Sequence, residues 1–278
     1  MKKILILGAS GVVGKPLFDT LKADYDVHGT YNRNKPVHAC DNHWHHYDTA
    51  ATSRLKAIMD EVAPDLVISS LNANFEQQLE AHKFLCSTSV QVVFISTANV
   101  FDGDIRGQHP ESKATYPVSR YGRFKQACEA MFPSSLVIRL PKILDPATID
   151  KWIQDAITGQ PTIYSNLFVN FNTPENVANA IKYCVDVGMT GVQHLVSADC
   201  ITVEDAVKHV LALRGTSAEY TPALLTIESY CELLGCDDPK LLRHSGDNIF
   251  NLGMICTNDD ILSRFSITCA DAIAEVCA

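Results

Sequence analysis

Tyr121 and Lys125 stand four residues apart in "SRYGRFKQACEAMF". On a predicted helix that spacing projects both side chains from one face. Upstream, "VVFISTANVFDG" reads as a buried strand that ends in Ser96-Thr97. A hydroxyl, a phenol and an ammonium in this order form a set suited to hydride transfer. Thr97 would hydrogen-bond a carbonyl or alcohol oxygen, and Tyr121 would give or take its proton. Lys125 would lower the phenol's pKa from about 10 by placing a cation nearby, and would hold a nicotinamide ribose. Taken alone, Y-x-x-x-K is usually a solvated helical pair. Its weight here comes from what precedes it.

That is the opening "ILILGASGVVGKPL", a strand followed by Gly8-x-x-Gly11-x-x-Gly14 and a helix. This is the context that a dinucleotide fingerprint requires. Gly8 would let the chain turn sharply, Gly11 would let backbone approach a pyrophosphate, and Gly14 would let the helix pack on the strand. The helix N-terminus offers N–H groups and partial positive charge to phosphate. The end of the second strand, "VHGTYNRN", has no carboxylate to bind a ribose diol. Arg33, with Asn34 beside it, supplies a planar cationic fork suited to a 2′-phosphate. NADP is therefore the expected cofactor, with NAD as the alternative.

The elements that must position these groups are legible as an alternation. Strands are expected at Lys3–Leu7, Tyr25–Thr30, His43–Tyr47, Asp65–Ser69, Gln91–Ser96 and Leu136–Leu140. Between them lie helical patterns at Val12–Ala23, Ser53–Ala63, Asn74–Ser87 and Arg120–Phe132. In "SRLKAIMDEVA" the apolar residues Leu55, Ile58, Met59 and Val62 fall at helical spacing. Strands alternating with helices imply βαβ units and a doubly wound parallel sheet, an α/β fold. The near-continuous apolar runs "ILIL", "LVI" and "VVFI" suit strands buried on both faces.

After Pro141 the rhythm loosens. A helix ending at Gly159 is followed by one short β segment, "TIYSNLFVNF". A second helix has Thr173 as N-cap, Pro174 at its first position and Gly188 as stop. "GVQHLVS" reads as a returning strand, and a further helix opens at Thr202 with Asp205 at the third position. The expected organisation is a Rossmann domain from 1–142 plus about 172–197, and a smaller mixed C-terminal substrate lobe from about 143–171 and 198–278.

The ordered set resembles the extended short-chain dehydrogenase/reductase superfamily, and within it the dTDP-4-dehydrorhamnose reductase-like branch. The likeness rests on "STANVFDG" (96–103), "YPVSRYGRFKQACE" (116–129) and "FVNFNTPENVANAI" (168–181). It covers residues 1 to about 185. The resemblance implies Thr97, Tyr121 and Lys125 as a catalytic triad. It implies Gly8, Ser10, Gly11, Val12, Val13 and Gly14 at the pyrophosphate, Asp48 near the adenine, and Ser70 and Leu71 flanking the cofactor. Asn99, Val100 and Phe101 are expected beside a substrate, which the resemblance implies is a sugar nucleotide with a keto group to reduce. A homodimer is a superfamily expectation. The chain departs from the branch in two places: Ala98 and Asn99 replace an acidic residue and a tyrosine, and strand four ends in "SSLNAN".

Three function classes follow. The first is an NADP-dependent reductase. The second is a sugar-nucleotide epimerase or dehydratase with tightly bound NAD, against which Arg33 and the absence of an acid beside Thr97 argue. The third is a non-catalytic, NADP-binding regulatory subunit, against which the intact triad argues.

Composition sets the remaining bounds. With 278 residues, 46% hydrophobic, the chain can bury a substantial core. Its formal charge of −9 and lack of a long basic run speak against nucleic acid or an anionic membrane as partner. No apolar run is long enough to span a bilayer, and Ile4–Leu7 is too short for a secretory core. The ten scattered cysteines, without a C-x-x-C pair, are expected as reduced thiols in a cytoplasmic protein. "HACDNHWHHYD" gathers His38, Cys40, Asp41, His43, His45, His46 and Asp48 but has no standard ligand spacing. Strand and loop histidines are expected there, with no metal. His43 and His45 would share one strand face and His46 the other. Arg139, at a strand end, is read either as a contact to substrate phosphate or as a structural ion pair. Arg243 and His244–Asp247 are open between substrate contact and loop capping.

Overall fold

In the computed structural model, which describes residues 1–36 and 42–278, the chain alternates strand and helix from its start. His38, Cys40 and Asp41 of the histidine-rich stretch lie outside the described residues. The order is β1 (Lys3–Leu7), α1 (Gly14–Leu21), β2 (Asp26–Tyr31), β3 (Trp44–His46), α2 (Thr52–Val62), β4 (Leu66–Ser69), α3 (Phe75–Cys86) and β5 (Gln91–Thr97). A 3-10 turn (Ala98–Phe101) leads on to α4 (Arg120–Glu129), β6 (Leu136–Leu140), β7 (Lys142–Ile143), α5 (Pro146–Thr158), β8 (Leu167–Val169) and β9 (Phe171–Asn172). Then come α6 (Pro174–Asp186), β10 (Gly191–His194), β11 (Ile201–Thr202), α7 (Val203–Leu213), α8 (Ile227–Leu234), β12 (Phe250–Asn251), α9 (Asp259–Phe265) and α10 (Cys269–Cys277).

Seven strands form one sheet in the order β10-β6-β5-β4-β1-β2-β3. The pairs β1–β2, β1–β4, β2–β3 and β4–β5 are parallel. The order reverses between β1 and β4, the switch point where a doubly wound sheet opens a crevice at its strands' carboxyl ends. Ile4–Leu7 and Leu66–Ile68 are almost wholly buried, as strands covered on both faces must be. The expected α/β doubly wound parallel sheet is the observed fold.

The chain divides into two compact units. The first comprises Met1–Ser96, Ala127–Ile138 and Pro174–Val192. The second comprises Thr97–Gln126, Arg139–Thr173 and Gln193–Ala278. In the second, β11-β8-β12 form a three-stranded sheet and β7-β9 a two-stranded one. One core there gathers Leu144, Ile149, Phe171, Val210 and Ile273 from around α5, α7 and α10. Another gathers Ile105, Val118, Leu225, Tyr230 and Phe250 around α8.

Most elements match the expected ones to within a few residues, with two informative differences. α1 starts at Gly14 instead of Val12, because Gly11 N–H donates to Gly8 O (3.0 Å) and prolongs the turn. The segment expected as one strand at 162–171 breaks at Asn170 into β8 and β9. The buried Asn170 amide donates to the carbonyls of Ser197 (3.2 Å) and Asp199 (2.7 Å), and its oxygen accepts from Met254 N–H (2.7 Å). Its side chain thus satisfies three backbone groups at the break.

Candidate functional site

In the first unit the glycine turn lies against the end of β4. Gly8 has φ +82°, which L side chains rarely adopt, and a Cβ there would come within 2.5 Å of Ser70 O. A Cβ on Gly14 would come within 2.2 Å of Gly8 O. Both positions therefore require glycine, one for the turn and one for helix–strand contact. Gly8 N–H donates to Thr30 Oγ1 (2.9 Å), which ties the turn to β2. No side chain caps α1 and its first turn carries no acidic residue, so its positive end is left for an anion.

A cleft of about 140 Å³ opens at this turn. Gly8, Ser10 and Gly11 form one wall; Ser70 and Leu71, continued by Asn72 and Ala73, form another. Thr30, Tyr31 and Asn32 at the end of β2, with Tyr47 and Thr49, close it. The glycine cradle and the cleft fit the pyrophosphate and nucleoside of a dinucleotide. A smaller cavity of about 80 Å³ lies beside Lys2, Gln91, Ser134 and Met189. It is at the strands' amino ends, away from the switch point.

Not every expected cofactor residue lines the cleft. Val12 is exposed and Val13 half-buried in the turn, while Arg33 and Asn34 are exposed just past β2. Asp48 is exposed, and its carboxylate accepts from Ala50 N–H (3.0 Å). Its neighbours Tyr47 and Thr49 are the ones at the cleft. Tyr31, Asn32, Tyr47 and Thr49 escape the sequence reading. The clue is their position, polar residues at or just past the carboxyl ends of β2 and β3.

In the second unit Thr97, Tyr121 and Lys125 converge. Thr97 caps the 3-10 turn by accepting from Asn99 N–H (3.3 Å), and its hydroxyl donates to Asn99 Oδ1 (3.0 Å). Thr97 also hydrogen-bonds the Tyr121 phenol. Lys125, buried, places its Nζ 5.9 Å from the Tyr121 ring centroid. Burial pushes the Tyr121 phenol above its usual 10, and the Thr97 bond offsets part of that rise. The lowering expected from Lys125 is not what governs the phenol in the ligand-free protein.

Asp102 locks this arrangement. It is buried and accepts from Val118 N–H (2.7 Å), Ser119 N–H (3.2 Å) and the Ser119 hydroxyl, and from the Asn99 side chain. Ser119 Oγ in turn accepts from Gly122 N–H (2.9 Å). One carboxylate thus joins the 3-10 turn to the start of α4, setting Thr97 against Tyr121. Gly122 permits the approach: a Cβ there would lie 2.2 Å from Asn99 O. Sequence reasoning misses Asp102; the signal is an acid after an apolar "NVF".

The expected substrate residues are spread differently. Asn99 is half-buried at the triad, whereas Val100 and Phe101 are fully buried and form core beneath the turn. Arg139 is buried, with its guanidinium 5.1 Å from the Phe101 ring centroid and Nη1 3.4 Å from His194 Nε2. Arg243 lies 3.6 Å over the Tyr116 ring, a packing role. His244 and Asp247 are exposed, and the Ser245 hydroxyl donates to Asp247. Every described cysteine is a free thiol. Among the described residues no helix is long and apolar enough to cross a membrane.

Comparison with known proteins gives a consistent picture. Residues 4–134 match the family model for the NAD dependent epimerase/dehydratase family. A probable low-salt glycan biosynthesis reductase of Haloferax volcanii is 24% identical over 246 residues, 77% of this chain and 80% of that protein. A dTDP-4-keto-6-deoxy-D-glucose reductase of Streptomyces niveus is 30% identical over 146 residues, 45% of each chain. Among solved structures, a hypothetical dTDP-4-dehydrorhamnose reductase from Sulfolobus tokodaii superposes with a TM-score of 0.74 at 19% identity. That match covers 98% of this chain and 99% of the other, and the likeness is one of fold.

Proposed function

We propose that this protein, whose residues 4–134 match the family model for the NAD dependent epimerase/dehydratase family, reduces a keto group on a nucleotide-linked sugar with NADPH. The observation that carries the reading is the bonded set Tyr121–Thr97–Asn99 with the Lys125 ammonium beside the phenol. The similarity to two named reductases supports reduction as the direction.

The nicotinamide cofactor, when bound, supplies the hydride. The chain's residues do the rest. The Gly8–Gly14 turn and the uncapped start of α1 hold the pyrophosphate. Thr97 orients the substrate's carbonyl oxygen. Tyr121, a phenol that is neutral at pH 7 and whose pKa burial raises further, gives that oxygen its proton as charge develops there. Lys125 provides the nearby positive charge that stabilises the phenolate left behind. NADP is favoured over NAD because no carboxylate stands at the end of β2, where Tyr31 is followed by Asn32, Arg33 and Asn34.

The test is NADPH and NADH consumption over a panel of nucleotide-linked 4-keto sugars. Stoichiometric loss of NADPH with appearance of the alcohol is expected. Sugar isomerisation without net cofactor consumption would instead establish the epimerase reading. Cofactor binding with no turnover of any sugar would establish a regulatory subunit.

A further inference from the structure

At the amino-terminal end of β2, and independent of the redox site, four ionisable side chains share one face of the sheet edge. β2 and β3 pair in parallel with Gly29 opposite Trp44 and Thr30 opposite His45. Side-chain alternation therefore turns Asp26 and His28 to the same face as His43 and His45. The other face is closed, because Trp44 stacks on Phe18 with ring centroids 4.4 Å apart. β3 is the edge strand of the sheet and only three residues long.

Three atoms in this group meet at one point. Asp26 Oδ1 is 3.4 Å from His28 Nε2 and 3.2 Å from His43 Nε2. All three ligand atoms lie within 4.8 Å of one another. A tetrahedral ion with bonds of about 2.0–2.1 Å separates its ligand atoms by roughly 3.3–3.4 Å. The two separations, 3.4 and 3.2 Å, lie close to the edges of such a tetrahedron.

The surroundings orient the ligands as a metal site requires. His28 Nδ1 is 3.1 Å from His45 Nε2, and His45 Nδ1 is 3.8 Å from Glu61 Oε2. The bond between the two rings holds His28 with Nδ1 toward His45 and Nε2 toward Asp26. Outer partners of this kind fix ring orientation and raise ligand basicity at metal-bound histidines.

We propose that Asp26 Oδ1, His28 Nε2 and His43 Nε2 form a binding site for a first-row divalent cation such as Zn²⁺, oriented by His45 and Glu61 and clasping the edge strand β3 to β2. Two nitrogens and one carboxylate oxygen suit a borderline cation over Mg²⁺ or Ca²⁺. Three protein ligands leave a fourth position for water. The sequence argues against a metal because "HACDNHWHHYD" has no second ligand pair at standard spacing. The second pair comes from Asp26 and His28 on the neighbouring strand, through register, which no local pattern displays.

The test uses the full chain stripped of metal with a chelator and titrated with Zn²⁺ against a chromophoric competitor, then with Co²⁺. One equivalent is expected, with intense visible bands of tetrahedral Co²⁺ and no thiolate-to-cobalt charge transfer, which excludes the cysteines as ligands. Saturating Zn²⁺ should raise Tm by roughly 5–10 °C at about one hundred times Kd. Asp26→Asn and His43→Gln should each weaken binding by more than ~100-fold, and His45→Gln by ~10–100-fold. His244→Gln, at an exposed distant histidine, should leave binding unchanged. Circular dichroism and NADPH binding confirm that each variant is folded. The proposal is overturned if the wild type binds less than one equivalent, if charge transfer shows thiolate ligation, or if folded Asp26→Asn and His43→Gln proteins bind Zn²⁺ as tightly as wild type.

Discussion

Gly122→Ala isolates the contact that aligns the triad. Gly122 follows Tyr121 in α4, and an added Cβ would stand 2.2 Å from Asn99 O, 2.8 Å from Pro117 Cβ and 2.9 Å from Asp102 Oδ2. Ordinary contact begins near 3.4 Å, so α4 and the 3-10 turn must part by about 1 Å. Two effects compete. Alanine gains about 1 kcal/mol in helix propensity over glycine. Overpacking against backbone that cannot rotate away costs about 1–3 kcal/mol. The second effect should win by about 1 kcal/mol, lowering Tm by roughly 2–4 °C. The larger consequence is catalytic, because Asn99 and Tyr121 hold Thr97 from two sides. A misplacement of about 1 Å costs on the order of 100-fold in turnover. Steady-state kcat with NADPH and a keto-sugar substrate, alongside a thermal melt and NADPH binding, reads each part separately. A variant that melts higher than wild type and turns over at full rate would show that this contact does not set the geometry.

Other outcomes follow from the same structure. Gly14→Ala, whose Cβ would lie 2.2 Å from Gly8 O, should weaken NADPH binding by at least ~10-fold in fluorescence titration; unchanged affinity would contradict the cradle. Because burial raises the Tyr121 pKa above 10, kcat for reduction should stay flat from neutral to mildly alkaline pH and fall only above 10, whereas a decline centred near pH 7 would point to another acid. Arg33→Ala should reduce preference for NADPH over NADH by ~10-fold, measured as a ratio of kcat/KM. His109 is buried, stacked 4.6 Å from Phe101, and burial with the nearby Lys113 pushes its pKa down to about 4. Its folded value lies below the unfolded 6.5, so stability is full above pH 6.5 and is lost as pH falls toward 4, by about 3 kcal/mol. Denaturant melts of His109→Phe should show a shallower loss across that window, and an unaltered slope would assign the acid sensitivity elsewhere.

The doubly wound sheet is legible because each strand that builds it declares itself locally. "ILIL", "LVI" and "VVFI" are continuous apolar runs, and of the helices between them α2 carries clear apolar periodicity and α3 is capped by Asn74, which accepts from Gln77 N–H (3.2 Å). In the second unit Thr202 accepts from Asp205 N–H (3.0 Å), the cap its spacing suggests. The convergence of Thr97, Tyr121 and Lys125 is legible for a similar reason, since a four-residue spacing on a helix and a hydroxyl at a strand end are local patterns. What escapes the sequence depends on side chains meeting across the fold. Asp102 reads as an ordinary turn acid until Val118 and Ser119 are seen to donate to it. Val100 and Phe101 neighbour Thr97 in the chain, which suggests a place beside a substrate, but the 3-10 turn directs them into the core. Asp26 and His28 draw no notice beside the histidine-rich stretch, because only strand register brings them to His43.

The central claim is that the Tyr121 phenol is the proton donor, and Tyr121→Phe tests it most directly because it removes one oxygen and keeps the ring beside Lys125. NADPH affinity and kcat should be measured on the same preparation. The expected result is NADPH binding within about two-fold of wild type and a kcat lower by ~100- to 10,000-fold. A Tyr121→Phe protein that reduces the sugar substrate at the wild-type rate would contradict the account.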